Sequence, residues 1–134
     1  MKRDLISMQD LTPKEIRYIF DLTKKLKKRK NRSSTELKGK SIGLVFQKPS
    51  NRTRVSFETA VYQLGGNCVY LGPEEVGLGK RESTNDVAKT LSRYLDGIVA
   101  RTFYHEDVFE IKNKGLTVFI GNENLEKITM QIHQ

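Results

Sequence analysis

One cysteine, Cys68, is all the thiol this sequence offers, and a single cysteine excludes an internal disulfide framework. Long apolar runs are missing as well. None approaches the ~20 residues needed to cross a bilayer. The first residues, MKRDLISMQDL, hold no long apolar stretch of the kind a secretory leader carries. These absences fit a reducing cytoplasm, which is the expected location, with no membrane partner. No internal repeat is visible, and no low-complexity segment beyond one basic cluster. Of the two histidines, His105 stands beside Glu106 and Asp107. No second cluster of ligands accompanies them, so a surface cap is expected there and no metal. His133 has no assignable role. Cys68 falls in an expected strand and reads as a buried structural thiol.

What is present suits one folded domain. The chain has 134 residues, 37% hydrophobic and 30% charged, and Leu, Ile, Val and Phe recur in periodic blocks. The net charge is +8, and residues 24–32, KKLKKRKNR, hold seven Lys or Arg. Such a cluster can bind nucleic acid or a membrane surface. It is also what the solvated C-terminal end of a helix looks like, where cations suit the dipole. No aromatic interleaving or nucleic-acid motif accompanies it, so the second reading is preferred and nucleic acid is not the expected partner.

Local signals set the order of elements. In DLTPKEIRYIFDLTKKLKKRK, Thr12 is placed to cap a helix, Pro13 suits its first position and Glu15 completes a capping box. Ile16, Ile19, Phe20, Thr23 and Leu26 then mark one apolar face. NRSSTELKGK reads as a loop and SIGLVF as a buried strand. A second helix is expected from about Arg52, with Val55, Phe57, Ala60, Val61 and Leu64 on its apolar side and Gly65 and Gly66 as its stop. NCVYLG reads as a strand, and PEEVGLGKRE as a glycine-bearing loop. Ser83 or Thr84 caps a third helix with Asp86 in its first turn and Val87, Ala88, Leu91 and Leu95 buried. GIVAR is a third strand, 105–112 a short helix and LTVFI a fourth strand. The tail ENLEKITMQIHQ is weakly amphipathic. Strands and helices alternating at short intervals predict an α/β fold, a parallel sheet flanked by helices. Ligands of such sheets bind at the carboxyl edge of the strands.

One stretch at that edge carries chemistry. In FQKPSNRTRVSFE a strand gives way to a helix, and Ser50, Arg52 and Thr53 crowd the junction. The first N–H groups of a helix lack intrahelical partners and carry partial positive charge. Hydroxyl donors and a planar guanidinium add to them, which is a way to hold a phosphate. The pattern is not a Walker loop, since G-x-x-x-x-G-K is absent. Ordinary helix capping by Ser and Thr with exposed arginines explains the same residues equally well.

KPSNRTRVSFE resembles the carbamoyl-phosphate signature, S-T-R-T-R, of the aspartate and ornithine carbamoyltransferases. The likeness covers residues 5–111, through LGG, YLGPEEVGLGKRES, DVAKTLSRYLDGIVAR and TFYHEDVFEI, with a phrasing closer to the ornithine branch. It implies the carbamoyl-phosphate domain of that family, acting without metal or cofactor. It further implies that Ser50, Arg52 and Thr53 bind phosphate, with Thr53 also near the carbamoyl oxygen, and that Asn51 contributes its backbone N–H. Arg101 reaches both phosphate and carbonyl, so Arg52, Thr53 and Arg101 are the expected catalytic set. Arg54 braces the motif from within. The GLGKRES loop, with Gly77, Lys80 and Arg81, reaches a neighbouring subunit's site in a homotrimer.

The sequence also departs from the family. Asn51 stands where threonine is usual, and Gly77 where many ornithine-type enzymes carry glutamine. After Ile111 no His-Pro-x-Gln motif follows. Residues 1–111 are therefore expected to form the carbamoyl-phosphate-binding domain and 112–134 a divergent tail, with the amino-acid-binding half missing. Such a chain is expected to bind carbamoyl phosphate weakly and to catalyse nothing alone. Ornithine is the acceptor the flavour of the sequence favours; a fragment of an aspartate or other carbamoyltransferase and a stand-alone basic binding module are the alternatives.

Overall fold

A computed structural model describes residues 4–29, 34–76, 84–101 and 117–120. A 3-10 turn at Met8–Asp10 leads into α1 (Pro13–Lys28). Then come β1 (Ser41–Phe46), α2 (Asn51–Gln63), β2 (Asn67–Leu71), a one-turn α3 (Pro73–Val76), α4 (Thr84–Tyr94), β3 (Gly97–Arg101) and β4 (Thr117–Ile120). The expected short helix at 105–112 and the tail beyond 120 lie outside the described residues.

The four strands form one parallel sheet in the order β2-β1-β3-β4. The α/β reading therefore holds, and LTVFI contributes the fourth strand. Alternation along β1 and β3 feeds two cores, because successive side chains of a strand point to opposite faces. On one face Val45, Ile98 and Ala100 pack with Ile6 and Ala88, joined by Val87, Leu91 and Leu95. The other face holds Leu44, Phe46 and Val99, with Phe57, Cys68 and Tyr70 against them. Thus α4 covers one side and α2 the other, which is why β1 and β3 are apolar almost throughout.

The capping box of α1 forms as its sequence prescribes. Thr12 Oγ1 accepts from the Glu15 N–H at 3.2 Å, and Glu15 Oε2 accepts from the Thr12 N–H at 3.1 Å. Its last turn carries Lys25, Lys27 and Lys28 at the negative end of the dipole. The expected apolar face is only half covered. Ile16, Ile19, Thr23 and Leu26 are half-buried, Phe20 is exposed, and no residue of α1 is buried among the described residues.

Two other expectations change. Val55 was expected on the apolar side of α2 but is 60% exposed. Thr53, Phe57, Val61 and Leu64 repeat at helical spacing toward the sheet, and Val55, two residues from Thr53, falls on the opposite side. PEEVGLGKRE was read as a loop throughout, yet Pro73–Val76 makes a helical turn with Glu74 and Glu75 in it, an arrangement that proline and acidic residues favour at a helix start.

The end of α2 depends on Gly65, which takes φ +84. A Cβ added there would meet the Ser34 carbonyl oxygen at 2.8 Å, a backbone atom that cannot swing away. Left-handed strain and this contact act together. Gly65→Ala is expected to lower stability by roughly 2–3 kcal/mol, read as a lower urea midpoint. A midpoint unchanged from the parent chain would show that the turn tolerates a side chain.

Candidate functional site

β1 runs out at Phe46 and α2 begins at Asn51, so residues 47–50 cross the carboxyl edge of the sheet. β2 lies on one side of β1 and β3 on the other. The chain therefore leaves β1 in one direction and returns past it in the other. The carboxyl ends of β1 and β3 flank the topological switch point, where open α/β sheets form their ligand crevice.

Both groups of residues singled out in the sequence come to this point. Phe46 pairs in register with Arg101, the last residue of β3. The Gln47 N–H donates to the Arg101 carbonyl at 2.8 Å, tying the start of the β1–α2 loop to the end of β3. Ser50 is the N-cap of α2, with extended backbone, yet its hydroxyl makes no capping bond. It donates instead to Thr53 Oγ1 at 3.0 Å. Thr53 is 8% exposed, the one buried polar residue among those described. Asn51 and Arg52 are exposed on the same first turn, and Arg101 is half-buried. Two hydroxyls, two guanidinium-bearing residues and a helix N-terminus thus share one edge, a layout suited to an anion with several oxygens.

Arg54 packs against β2. Its guanidinium lies over the Tyr70 ring, 3.7 Å from the centroid, and its Nε is 3.2 Å from Glu58 Oε1. Tyr70 in turn meets Phe46 edge to face, with ring centroids 5.7 Å apart. The Arg54–Glu58 pair was legible as an i,i+4 spacing, whereas the part of Tyr70 had no signal in the sequence. Cys68 sits nearby on β2 as a half-buried free thiol. Burial pushes its pKa up, the Glu58 carboxylate adds to this, and Arg54 opposes it. The thiol is thus held in its unreactive protonated form.

Along the outward side of α2, Asn51, Arg52, Val55, Ser56, Thr59, Ala60 and Gln63 line a concavity of about 500 Å³. It shares only Asn51 and Arg52 with the anion edge. The Ser50–Thr53 hydroxyl contact, with the end of β3 tied to the same loop, marks a candidate site better than this hollow does. Gly77, Lys80 and Arg81 lie outside the described residues.

Fold and site together define a doubly wound α/β domain with a hydroxyl- and arginine-bearing helix start at its switch point. Comparison with known proteins is specific about which one. The family described as "Aspartate/ornithine carbamoyltransferase, carbamoyl-P binding domain" matches residues 3–126. An ornithine carbamoyltransferase of Oceanobacillus iheyensis is 45% identical over 126 residues, covering 92% of this chain and 39% of that protein. The solved ornithine carbamoyltransferase of Pyrococcus furiosus superposes with a TM-score of 0.81 at 40% identity, over 89% of this chain and 39% of that one. An N-acetyl-L-ornithine transcarbamylase mutant, solved with carbamyl phosphate and N-succinyl-L-norvaline, gives 0.76 at 32% identity, over 88% and 42%. The chain belongs to the aspartate/ornithine carbamoyltransferase family, in its carbamoyl-phosphate-binding domain. It spans about 39% of the length of each of the two ornithine carbamoyltransferases just described.

Proposed function

We propose that this chain holds carbamoyl phosphate between the first turn of α2 and the end of β3, as the carbamoyl-phosphate half of an ornithine carbamoyltransferase. The observation that carries the reading is that the loop leading to the hydrogen-bonded Ser50 and Thr53 hydroxyls is tied at its start to the Arg101 carbonyl, at the β1/β3 switch point. In this reading Ser50, Arg52, Thr53 and the Asn51 N–H take the phosphate oxygens. Thr53 and Arg101 attend the carbamoyl oxygen, and Arg101 also reaches the phosphate. Asn51 in place of threonine is accommodated because the backbone makes the contact.

The reaction proposed is transfer of the carbamoyl group to L-ornithine, giving L-citrulline and phosphate. The amine lone pair forms the new C–N bond, the carbonyl carbon's bond to the phosphate oxygen breaks, and phosphate departs with that electron pair. The nitrogen sheds a proton to phosphate or solvent. Negative charge grows on the carbonyl oxygen and then on the leaving group, and donors already aimed there stabilise it without reorganising. Bringing the two reactants together supplies much of the remaining acceleration. Ornithine is preferred as acceptor because the sequence relatives cited above carry that name. All residues assigned to ligand contact lie within 1–111, and β4 extends the sheet beyond that segment.

A homotrimer is part of the proposal, with Gly77, Lys80 and Arg81 reaching a neighbour's site. Val55 and Tyr62, seven residues apart on one face of α2, are 60% and 80% exposed, which supports a packed neighbour there. A cytoplasmic location is also part of the proposal; no helix among the described residues is long and apolar enough to cross a membrane. The test is a titration of the 134-residue chain with carbamoyl phosphate, followed by amide shifts. Saturable binding on the order of millimolar Kd is expected, with no citrulline formed when ornithine is added. Absence of any saturable shift at the Ser50–Thr53 turn overturns the site. Citrulline formation by the chain alone overturns its expected incompetence.

A further inference from the structure

We propose that Tyr70 is a positioning residue for the anion-binding turn, acting through Arg54 and Phe46 without touching the ligand. The inference rests on the reading that phosphate sits at the start of α2. Residues 47–53 form the segment that must be held in shape, and Tyr70 reaches both of its flanks from the neighbouring strand. On one flank the ring meets Phe46, the last residue of β1, edge-on at 5.7 Å and 85°. On the other it carries the Arg54 guanidinium 3.7 Å from its centroid. Arg54 belongs to the first turn of α2, and its Nε is held in addition by Glu58 at 3.2 Å.

The Tyr70 ring is itself confined. A Cβ on the buried Gly72 would lie 3.1 Å from both Tyr70 Cε1 and its hydroxyl, so glycine there leaves the ring just enough room. Phe46 is fully buried and cannot shift without opening the core. The stack Phe46–Tyr70–Arg54–Glu58 therefore references the turn to the rigid middle of the sheet. Its members are engaged with one another, so the stack contributes by pre-organising the turn: ligand binding then does not have to order it.

The experiment is a double-mutant cycle with Tyr70→Leu, Arg54→Met and the pair, with Tyr70→Phe as the conservative variant. Two readouts are taken on the 134-residue chain: the Kd for carbamoyl phosphate, with inorganic phosphate as second probe, and amide hydrogen exchange at residues 51–53 without ligand. Tyr70→Leu should weaken binding ~5-fold and quicken exchange at 51–53, because the face that carries the guanidinium is gone. Tyr70→Phe keeps that face and should stay within about twofold of the parent. In the Arg54→Met background Tyr70→Leu should weaken binding less than it does in the parent, because only the Phe46 contact is left to lose; a merely structural role would lower the denaturation midpoint without changing binding or exchange at 51–53. If Tyr70→Leu does not fold, Arg54→Met, truncated at its half-exposed end, must show both the weaker binding and the faster exchange. Parent-like binding and exchange in these variants, with the parent chain itself binding, overturns the positioning role and leaves the site reading intact. A parent chain that binds neither probe overturns the site reading instead, while the exchange readout still reports whether Tyr70 orders the turn.

Discussion

Arg101→Ala should abolish measurable carbamoyl phosphate binding by this chain. Arg101 ends β3 at the switch point, half-buried, beside the loop that Gln47 ties to its carbonyl. A hydrogen bond to a charged group contributes about 1.5–3 kcal/mol. Two such bonds from one guanidinium to a phosphate and a carbonyl oxygen correspond to a loss of roughly 100-fold or more. From a millimolar start, saturation would vanish. Arg52→Ala removes a more exposed guanidinium, which solvent screens, and about 10-fold is expected there. Lysine at position 101 should restore only part of the affinity, since a point charge does not reproduce the two-pronged geometry. The measurement is the same amide titration, with the unliganded spectrum as the check on folding. An Arg101→Ala curve that superimposes on the parent would remove Arg101 from the site.

The second large effect is on stability. Phe46 is 0% exposed at the end of β1, packed with Leu44 and Val99 on the α2 side of the sheet. Truncating a fully buried phenylalanine costs about 3–5 kcal/mol through lost burial and the cavity left behind. A domain's whole stability is about 5–15 kcal/mol, so Phe46→Ala should leave a chain that is largely unfolded at 37 °C or close to it. Phe46→Leu keeps most of the volume and should cost much less. Denaturant melts of the three chains decide the matter. A midpoint for Phe46→Ala within experimental error of the parent is incompatible with a packed core at this strand end. The two arginine variants should leave that midpoint nearly unchanged, because both side chains lie outside the cores.

Local signals were legible wherever one short segment decided the outcome. Thr12, Pro13 and Glu15 wrote the start of α1, and the capping box formed with both reciprocal bonds. SIGLVF and GIVAR read as buried strands because helices cover both their faces. The failures share a cause as well. Val55 is apolar and near the inward stripe of α2, but whether it is covered depends on where the sheet lies relative to the helix. α1 has a clear apolar face, and its incomplete burial among the described residues follows from what packs beside it rather than from its own spacing.

The sequence by itself determined the order of strands and helices, the parallel character of the sheet, and the concentration of Ser50, Arg52 and Thr53 at a helix start. These depend on residues a few positions apart, whose periodicity and capping preferences act locally. Only the tertiary structure decided that β1 lies between β2 and β3, so that Arg101 comes to the same crevice as a turn some fifty positions earlier in the chain. It alone made Tyr70 the ring that the Arg54 guanidinium lies over. Strand order and ring contacts arise from long-range packing, in which hydrophobic burial sets which surfaces meet while carrying almost no signature in the spacing of the residues that end up touching.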